Sequence, residues 1–467
     1  MQITTHKRIA MKTHQFIFLI FIFASQNIIL SQTHNWTGNG GDSDWFNIAN
    51  WDAGTVPIET STISIVGNVT VNISATAEAY TIDLNNGATL ELAGDLESGS
   101  IITIHSGSTF LFTSGTLSGS GIHNDGLLKI EGNQSRTFDQ TTVTNNAQFL
   151  VTNSGITQIL STTINNSATG VIDITSVGGF LQQSTTSVLN NAGWLKKIPD
   201  GINQFGNFYL VFEINNTGII EVQEDQIFLM LASAETFSNS PEGRVIGKGT
   251  YDITSTFVNE GIISPGDAGN IGTLHITNNF SLNGGGVELD LAGTQAEEYD
   301  QIEVTGFPEM DGYFDINLSF APQIGDEFAV ITWSPGGNSC NFPQFTTTAF
   351  DGMVYTFETF CNSNDVTLRV SDITVLGIED ITGRETEFYI HPNPVETDGS
   401  FVFSSEWITS EETTLSIYNY LGQEVMTVDG FTSNSNSFQR GNLPAGLYFA
   451  QVAAEGQVIA TTNIILN

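Results

Sequence analysis

Between residues 80 and 265 the chain keeps returning to one short pattern. A turn with Asn or a small residue, usually Gly, is followed by a stretch in which apolar and polar side chains alternate. Asn85-Asn86-Gly87 leads into Leu90-Glu91-Leu92, and Asn124-Asp125-Gly126 leads into Leu128-Lys129-Ile130. Asn145-Asn146-Ala147 precedes Phe149-Leu150-Val151, and Asn216-Thr217-Gly218 precedes Ile220-Glu221-Val222. Alternation with period two marks a strand with one buried face. The small residues at positions 87, 107, 126, 147, 168, 193, 218, 243 and 261 are separated by steps of 20, 19, 21, 21, 25, 25, 25 and 18. Independent hairpins would show tighter turns and no common step. A leucine-rich repeat has a similar period, but its Leu-x-x-Leu-x-Leu-x-x-Asn frame is missing here. A step near 20 with short strands fits one coil of a right-handed parallel β-helix. The alternative is a β-sandwich with an Asn-Gly rhythm.

Coils of such a helix stack about 4.8 Å apart, so nine would make a rod of about 40 Å. Apolar side chains at one place in each coil would merge into a continuous core. The recurrent Asn and Gly read as corner residues, because corners need positive or otherwise unusual φ and Asn can bond its neighbours' backbone. A rod has two raw ends, and bare strand edges invite aggregation. The segment before the first coil reads as a cap. It holds Trp36-Thr37-Gly38, Asp44-Trp45, Asn50-Trp51 and Val56-Pro57, with three of the six Trp close together. The alternative for these rings is an exposed sugar-binding platform. The segment resembles the lead-in of bacterial autotransporter-like β-helices. Ser264-Pro265-Gly266, the Gly-rich Gly285-Gly286-Val287-Glu288-Leu289 and Asp300-Gln301-Ile302-Glu303-Val304 resemble the closing region of the same proteins' passenger domains, over roughly 262–370.

Composition changes this picture in two ways. Charged residues make up only 13% of the 467, so the polar surface must come from Ser, Thr, Asn and Gly, which favour strands and turns over helices. Twelve basic residues against 50 acidic ones give a net charge of −38. Such a surface repels nucleic acid and anionic membranes, and would hold divalent cations only weakly and without a defined site. No cofactor is implied.

The first residues read as a signal peptide over 1–31. Lys7, Arg8 and Lys12 precede an apolar run from Phe16 to Phe23, which is too short to span a bilayer. Met11 is an alternative start. In an exported chain the two cysteines, Cys340 and Cys361, are expected to form a disulfide.

The residues from about 385 onward form a separate block. Phe388-Tyr389-Ile390-His391-Pro392-Asn393-Pro394 comes first, then Leu415-Ser416-Ile417-Tyr418-Asn419-Tyr420-Leu421-Gly422-Gln423-Glu424-Val425. Leu443-Pro444-Ala445-Gly446-Leu447-Tyr448 and a last apolar strand, Asn463-Ile464-Ile465-Leu466, follow. Alternating strands with turns about every ten residues predict a small Ig-like antiparallel β-sandwich. The three motifs in this order resemble the C-terminal sorting domain of the type IX secretion system. The resemblance singles out Pro392, Asn393, Pro394, Gly422, Pro444, Gly446 and Tyr448. It implies passage through the periplasm and outer membrane by the type IX machinery, then release or attachment to surface lipopolysaccharide after tail removal. The last strand here lacks the basic residue that many such tails carry.

The expected layout is therefore a signal peptide at 1–31 and a Trp-rich cap at 32–80, followed by a parallel β-helix at 81–275. After it come a β-rich end with the disulfide loop at 276–375, a linker at 376–384 and the sorting domain at 385–467.

Candidate chemistry is sparse. A polysaccharide lyase needs a cation beside a uronate, and Lys129, Arg136, Lys196, Lys197, Arg244 and Lys248 are spread over many coils. A glycosidase needs paired carboxylates, for which Asp173 and Glu221 on alternating strands are the candidates. Asp267, Asp290, Asp300 and Asp315 match no calcium-loop spacing. No zinc motif, nucleophile elbow or phosphate loop is present. The expectation is a non-catalytic, adhesin-like or structural surface protein. The alternative is a protein that binds or degrades carbohydrate with the face of the rod.

Overall fold

The computed structural model describes residues 32–375 and 388–467, except 120, 153–154, 176, 183–186, 200–205, 231–234, 255, 267–268, 279, 307, 335–338, 404–412, 430–434 and 455–456. The expected signal peptide and linker lie outside the described residues.

The alternating stretches form short strands that stack in parallel. One coil consists of Thr81–Asn85, Thr89–Leu92 and Leu96–Ser98, and the next begins at Ile101–Ile104. Three sheets result. The first has eleven strands, the second twelve and the third fifteen. Parallel coils run over residues 62–318, so they begin inside the segment expected as cap and continue past residue 275. Thr62–Val66 already pairs with Thr81–Asn85, and Gly286–Leu291 pairs with Tyr313–Leu318. Turns of the same residue types, Gly67-Asn68 and Asn283-Gly284, mark these outer coils as well, so the pattern extends beyond residues 80–265.

Period two places every second side chain inside. Val71, Leu90, Phe110, Leu128 and Phe149 follow one another in register on the second sheet, all fully buried. Burying each such side chain contributes about 1.5–3 kcal/mol.

One inward column changes character along the rod. On the first sheet Leu84 and Ile104 are in register with Asn124, and from there the position is Asn in seven successive coils: 124, 145, 166, 191, 216, 239 and 259. All seven are buried. The Nδ2 of each of the first six donates to the Oδ1 of the next Asn, at 2.6–2.8 Å. Several also donate to a main-chain carbonyl beyond the corner, as Asn191 does to Ile219 O at 3.0 Å. The ladder satisfies amides that would each cost about 1–3 kcal/mol if buried unpaired.

This corrects the reading of the corners. Positive φ holds for Asn86, Gly87 and Gly107, but not for the ladder residues or for Gly126, Gly193, Gly218, Gly243 and Gly261. Those glycines are required by close approach between coils. A Cβ on Gly218 would lie 2.2 Å from Gly193 O, and one on Gly193 would lie 2.2 Å from Gly170 O.

Both ends are closed. Trp45 and Trp51 are buried, with ring centroids 4.9 Å apart, and Trp36 packs on Trp51 at 5.0 Å. Trp51 Nε1 donates to Trp45 O at 2.7 Å. With the rings inside, they do not form an exposed platform. The segment also bonds the first strand of the second sheet: Asn72 N–H donates to Ser43 O, and Trp45 N–H donates to Asn72 O. Asn47 and Asn50 amides, then the Asp44 N–H, hold the Asp42 carboxyl below its ordinary pKa.

At the far end the third sheet turns antiparallel. Glu327–Trp333 pairs with Asp365–Val375, which pairs with Met353–Cys361, which in turn pairs with Phe345–Phe350. Cys340 and Cys361 form the disulfide, with Cα atoms 6.1 Å apart. Closing this loop of 21 residues contributes about 3 kcal/mol.

Candidate functional site

The tail folds as two antiparallel sheets around a core of its own. Phe388–His391, Asp398–Phe403 and Ser435–Gln439 form one sheet. Glu424–Asp429, Thr413–Asn419, Gly446–Ala454 and Gln457–Leu466 form the other. Val395, Phe401, Leu415, Val452 and Ile464 are fully buried between them.

The sequence motifs turn out to be the joints of this domain. Pro392 and Pro394 lack an N–H, so their segment cannot complete a ladder of its own. Asn393 between them supplies the bonds instead. Its Oδ1 accepts the Ile465 N–H at 2.8 Å, and its Nδ2 donates to Asn463 O at 3.0 Å. Val395 N–H donates to Ile465 O at 2.7 Å, and Asn467 N–H donates to Val395 O at 3.0 Å. The first motif is thereby laced to the last strand, some 70 residues away. Both prolines follow cis peptide bonds.

The second motif is a closed turn. Gly422 has φ +75°, and the Asn419 Oδ1 accepts N–H bonds from Leu421 at 2.9 Å and Gln423 at 3.0 Å. In the third motif the Tyr448 hydroxyl donates to Pro444 O at 2.9 Å, which fixes the turn that Gly446 opens into its strand. Beyond the turn, the Thr427 and then the Ser416 hydroxyl hold Glu424 below the usual carboxylate pKa range.

Arg440 was not singled out in the sequence, because it lies in none of the motifs. Its Nε donates to Leu443 O at 2.9 Å, and its Nη1 donates to Glu396 O at 3.2 Å and to Asn467 O. One guanidinium thus touches the residues after the first motif, the start of the third and the last strand.

Residues 389–467 match the family of the secretion system C-terminal sorting domain. The chain carries a type IX sorting domain. This sorting domain is handled by the type IX secretion machinery and directs export to the cell surface or beyond. No curated protein matches the chain. Among the described residues no helix is long and apolar enough to cross a membrane.

The solenoid's candidate catalytic groups are dispersed. Asp173 and Glu221 lie on the second sheet, but not on adjacent coils. Lys196 stands between them in register with both. The two carboxylates are therefore about 10 Å apart along the stack, with a cation in the gap. Lys196 itself sits 3.8 Å over the Trp194 ring. Lys129 pairs with Glu131, and Arg244 pairs with Glu288. Arg136 and Lys197 are fully buried inside the rod, and burial pushes the Arg136 pKa down. Lys197 Nζ donates to Gln226 Oε1 at 2.6 Å. None of these five cations stands free on a common face with the others.

The aspartates past residue 262 have structural partners. Asp300 is buried, and its carboxylate accepts N–H bonds from Gly272 at 2.8 Å and Asp290 at 2.9 Å. Burial pushes its pKa up to about 7 against these two bonds. Asp290 accepts bonds from Gly269 N–H and Asn317 Nδ2. Asp315 is in register with Glu288. Asp267 lies outside the described residues. Among the described residues no group of three or more His, Cys, Asp or Glu is arranged to hold a metal ion.

Proposed function

We propose that the exported protein works at or beyond the cell surface as a non-catalytic, adhesin-like contact or spacer protein, with the solenoid as its working part. The observation that carries this reading is the pairing of a sorting domain with a rod that presents an outward amide ladder on its first sheet. On the first sheet Thr144, Asn165, Asn190 and Asn215 are in register. Asn190 Nδ2 donates to Asn165 Oδ1 at 2.9 Å, and Asn215 Nδ2 donates to Asn190 Oδ1 at 3.1 Å. Side chains bonded to one another along a flat face suit repeated surface contact more than proton transfer. The separation of Asp173 from Glu221 by Lys196 supports the same reading. After removal of the tail the rod is either released or attached to surface lipopolysaccharide, and no cofactor takes part.

The test has two arms. Cells making a chain truncated before residue 388 are fractionated, and the truncated rod is expected in the periplasm while the full chain reaches the surface or medium. Surface delivery of the truncated chain would overturn the export half. The purified full chain is incubated with a panel of neutral and anionic polysaccharides, and no new reducing ends or unsaturated products are expected. Product release would overturn the non-catalytic half.

A further inference from the structure

The third sheet carries a cleft of about 620 Å³ that the solenoid's regular coils do not require. Its floor spans three consecutive strands, Gln226–Met230, Thr250–Ile253 and Thr273–Asn278, or about 10 Å along the rod. Ile227, Thr250 and His275 occupy one outward column of that floor, in register from strand to strand. One wall is the turn with Glu224 and Asp225, and the other is the short 3-10 turn Ala296–Glu298 followed by Tyr299.

The walls are held before any ligand arrives. Glu298 Oε2 accepts the Gln295 N–H at 3.0 Å, and Glu298 N–H donates to Gln295 O at 2.8 Å, which fixes the 3-10 turn. The rim segment Ile271–Thr273 is tied from beneath by Asp300, through the Gly272 N–H. Gly272 packs so closely that a Cβ there would lie 2.8 Å from Lys248 Cγ. Lys248 is thereby held along the cleft, and among the described residues it has no ion-pair partner. His275 Nδ1 lies 3.1 Å from Glu303 Oε2, which leaves Nε2 as the ring nitrogen for a ligand. A preformed site binds without first ordering its own side chains.

The lining selects a ligand by chemistry. Three rim carboxylates, Glu224, Asp225 and Glu297, on a chain of net charge −38 repel an anionic polymer. Lys248 on the floor offsets one of the three rim carboxylates. Hydroxyl, imidazole and carboxylate groups spaced by the coil repeat suit an array of ligand hydroxyls, while Ile227, Ile271 and the Tyr299 ring offer an apolar surface for C–H groups. An uncharged ring compound with hydroxyls on its edge and carbon on its face meets all of these demands.

We propose that this cleft is a binding site for an uncharged glycan chain, engaged over about two coil spacings. The site gives the contact function above a ligand class and rests on that reading only for its biological use. Binding is measured on purified protein, so failure of export and failure of the site are separate results.

The probes are neutral cello-, xylo- and chito-oligosaccharides, with oligogalacturonate and oligoglutamate as charged controls, titrated calorimetrically into the purified full chain at pH 7.5. Saturable binding by at least one neutral series is expected, with none by the charged controls. Thr250→Trp fills the floor and is expected to weaken binding at least tenfold, whereas Thr109→Trp, at an outward position of the second sheet, leaves it unchanged. Glu297→Ala, at an exposed position, is expected to weaken binding severalfold and serves if Thr250→Trp does not fold. Absence of neutral binding, equal affinity in the wild-type chain and the cleft variants, or preferential binding of either charged control would each overturn the proposal.

Discussion

The solenoid and the sorting domain are both built from short strands, yet they are held together in opposite ways. In the solenoid each residue meets its counterpart one coil on, so Asn191 bonds Asn166 and Asn216, both 25 positions away. The same contact recurs in coil after coil, and loss of one rung leaves the others in place. In the sorting domain Asn393 reaches Asn463 and Ile465, 70 and 72 positions away, and with Val395 and Arg440 it forms a single joint that does not recur along the domain. The solenoid therefore distributes its stability, whereas the tail concentrates its closure in a few joints. The motifs of the tail stand out in the sequence because each joint occurs once.

The largest expected break in this comparison is electrostatic. Asp300 in the rod has its pKa raised to about 7 by burial, whereas Glu424 in the tail is shifted down by hydroxyl donors. Below its unfolded value near 3.8, Asp300 is protonated in both states and its favourable contribution is complete. As pH rises from 3.8 to about 7 the unfolded chain has released that proton while the folded chain still holds it, and up to about 4 kcal/mol is lost. Denaturant melts of the rod between pH 4 and 8 should show this decline, and Asp300→Asn should flatten it. An unchanged slope in the variant would assign the decline to other groups.

Two glycines sharpen the contrast. Gly218→Val drives a Cβ into the Gly193 carbonyl of the previous coil, and the obstacle is backbone that cannot rotate away. A cost of about 3 kcal/mol or more is expected. Gly422 in the tail turn has positive φ but open space around it, so Gly422→Ala should cost only about 1 kcal/mol. Chemical denaturation of the two variants, compared with wild type, checks the order. A mild effect at Gly218 would mean that the coils can move apart.

The polar joints should rank in the same way. Asn191→Ala leaves Asn216 Oδ1 without its donor in a buried column, while Asn166 Nδ2 keeps Gly170 O and Trp194 O, at a cost of about 2 kcal/mol. Asn393→Ala removes two bonds that lie near solvent, at a cost of about 1 kcal/mol. Amide hydrogen exchange should show faster opening confined to neighbouring coils for Asn191→Ala. For Asn393→Ala it should show faster opening of Gln457–Leu466 as a whole. Exchange spread along the entire rod in the first variant would contradict nearest-neighbour stabilisation.

Much of the architecture was legible because it rests on local chemistry. Alternation in Leu90-Glu91-Leu92 and its counterparts gives strand and inward face without reference to any other residue. Pro392, Asn393, Pro394, Gly422 and Gly446 mark places where the backbone has few options, and sequence shows these directly. The coils from residue 62 to 80 and beyond 275 carry the same turn residues, at Gly67-Asn68 and Asn283-Gly284, but there the period runs into the Trp-rich segment and the irregular closing region, which obscure it. Arg440 was hidden because its three partners lie in separate segments.

Taken alone, the sequence determined the coil period, the buried face of each strand, the cysteine pair and the sorting tail. Only the tertiary structure decided which side chains become neighbours. The steps between coils vary from 18 to 25, so position along the chain does not fix which residues share a register. Coil closure makes that choice. It set Lys196 between Asp173 and Glu221, turned the recurrent corner Asn inward into a continuous amide ladder, and gathered residues from four segments around one cleft.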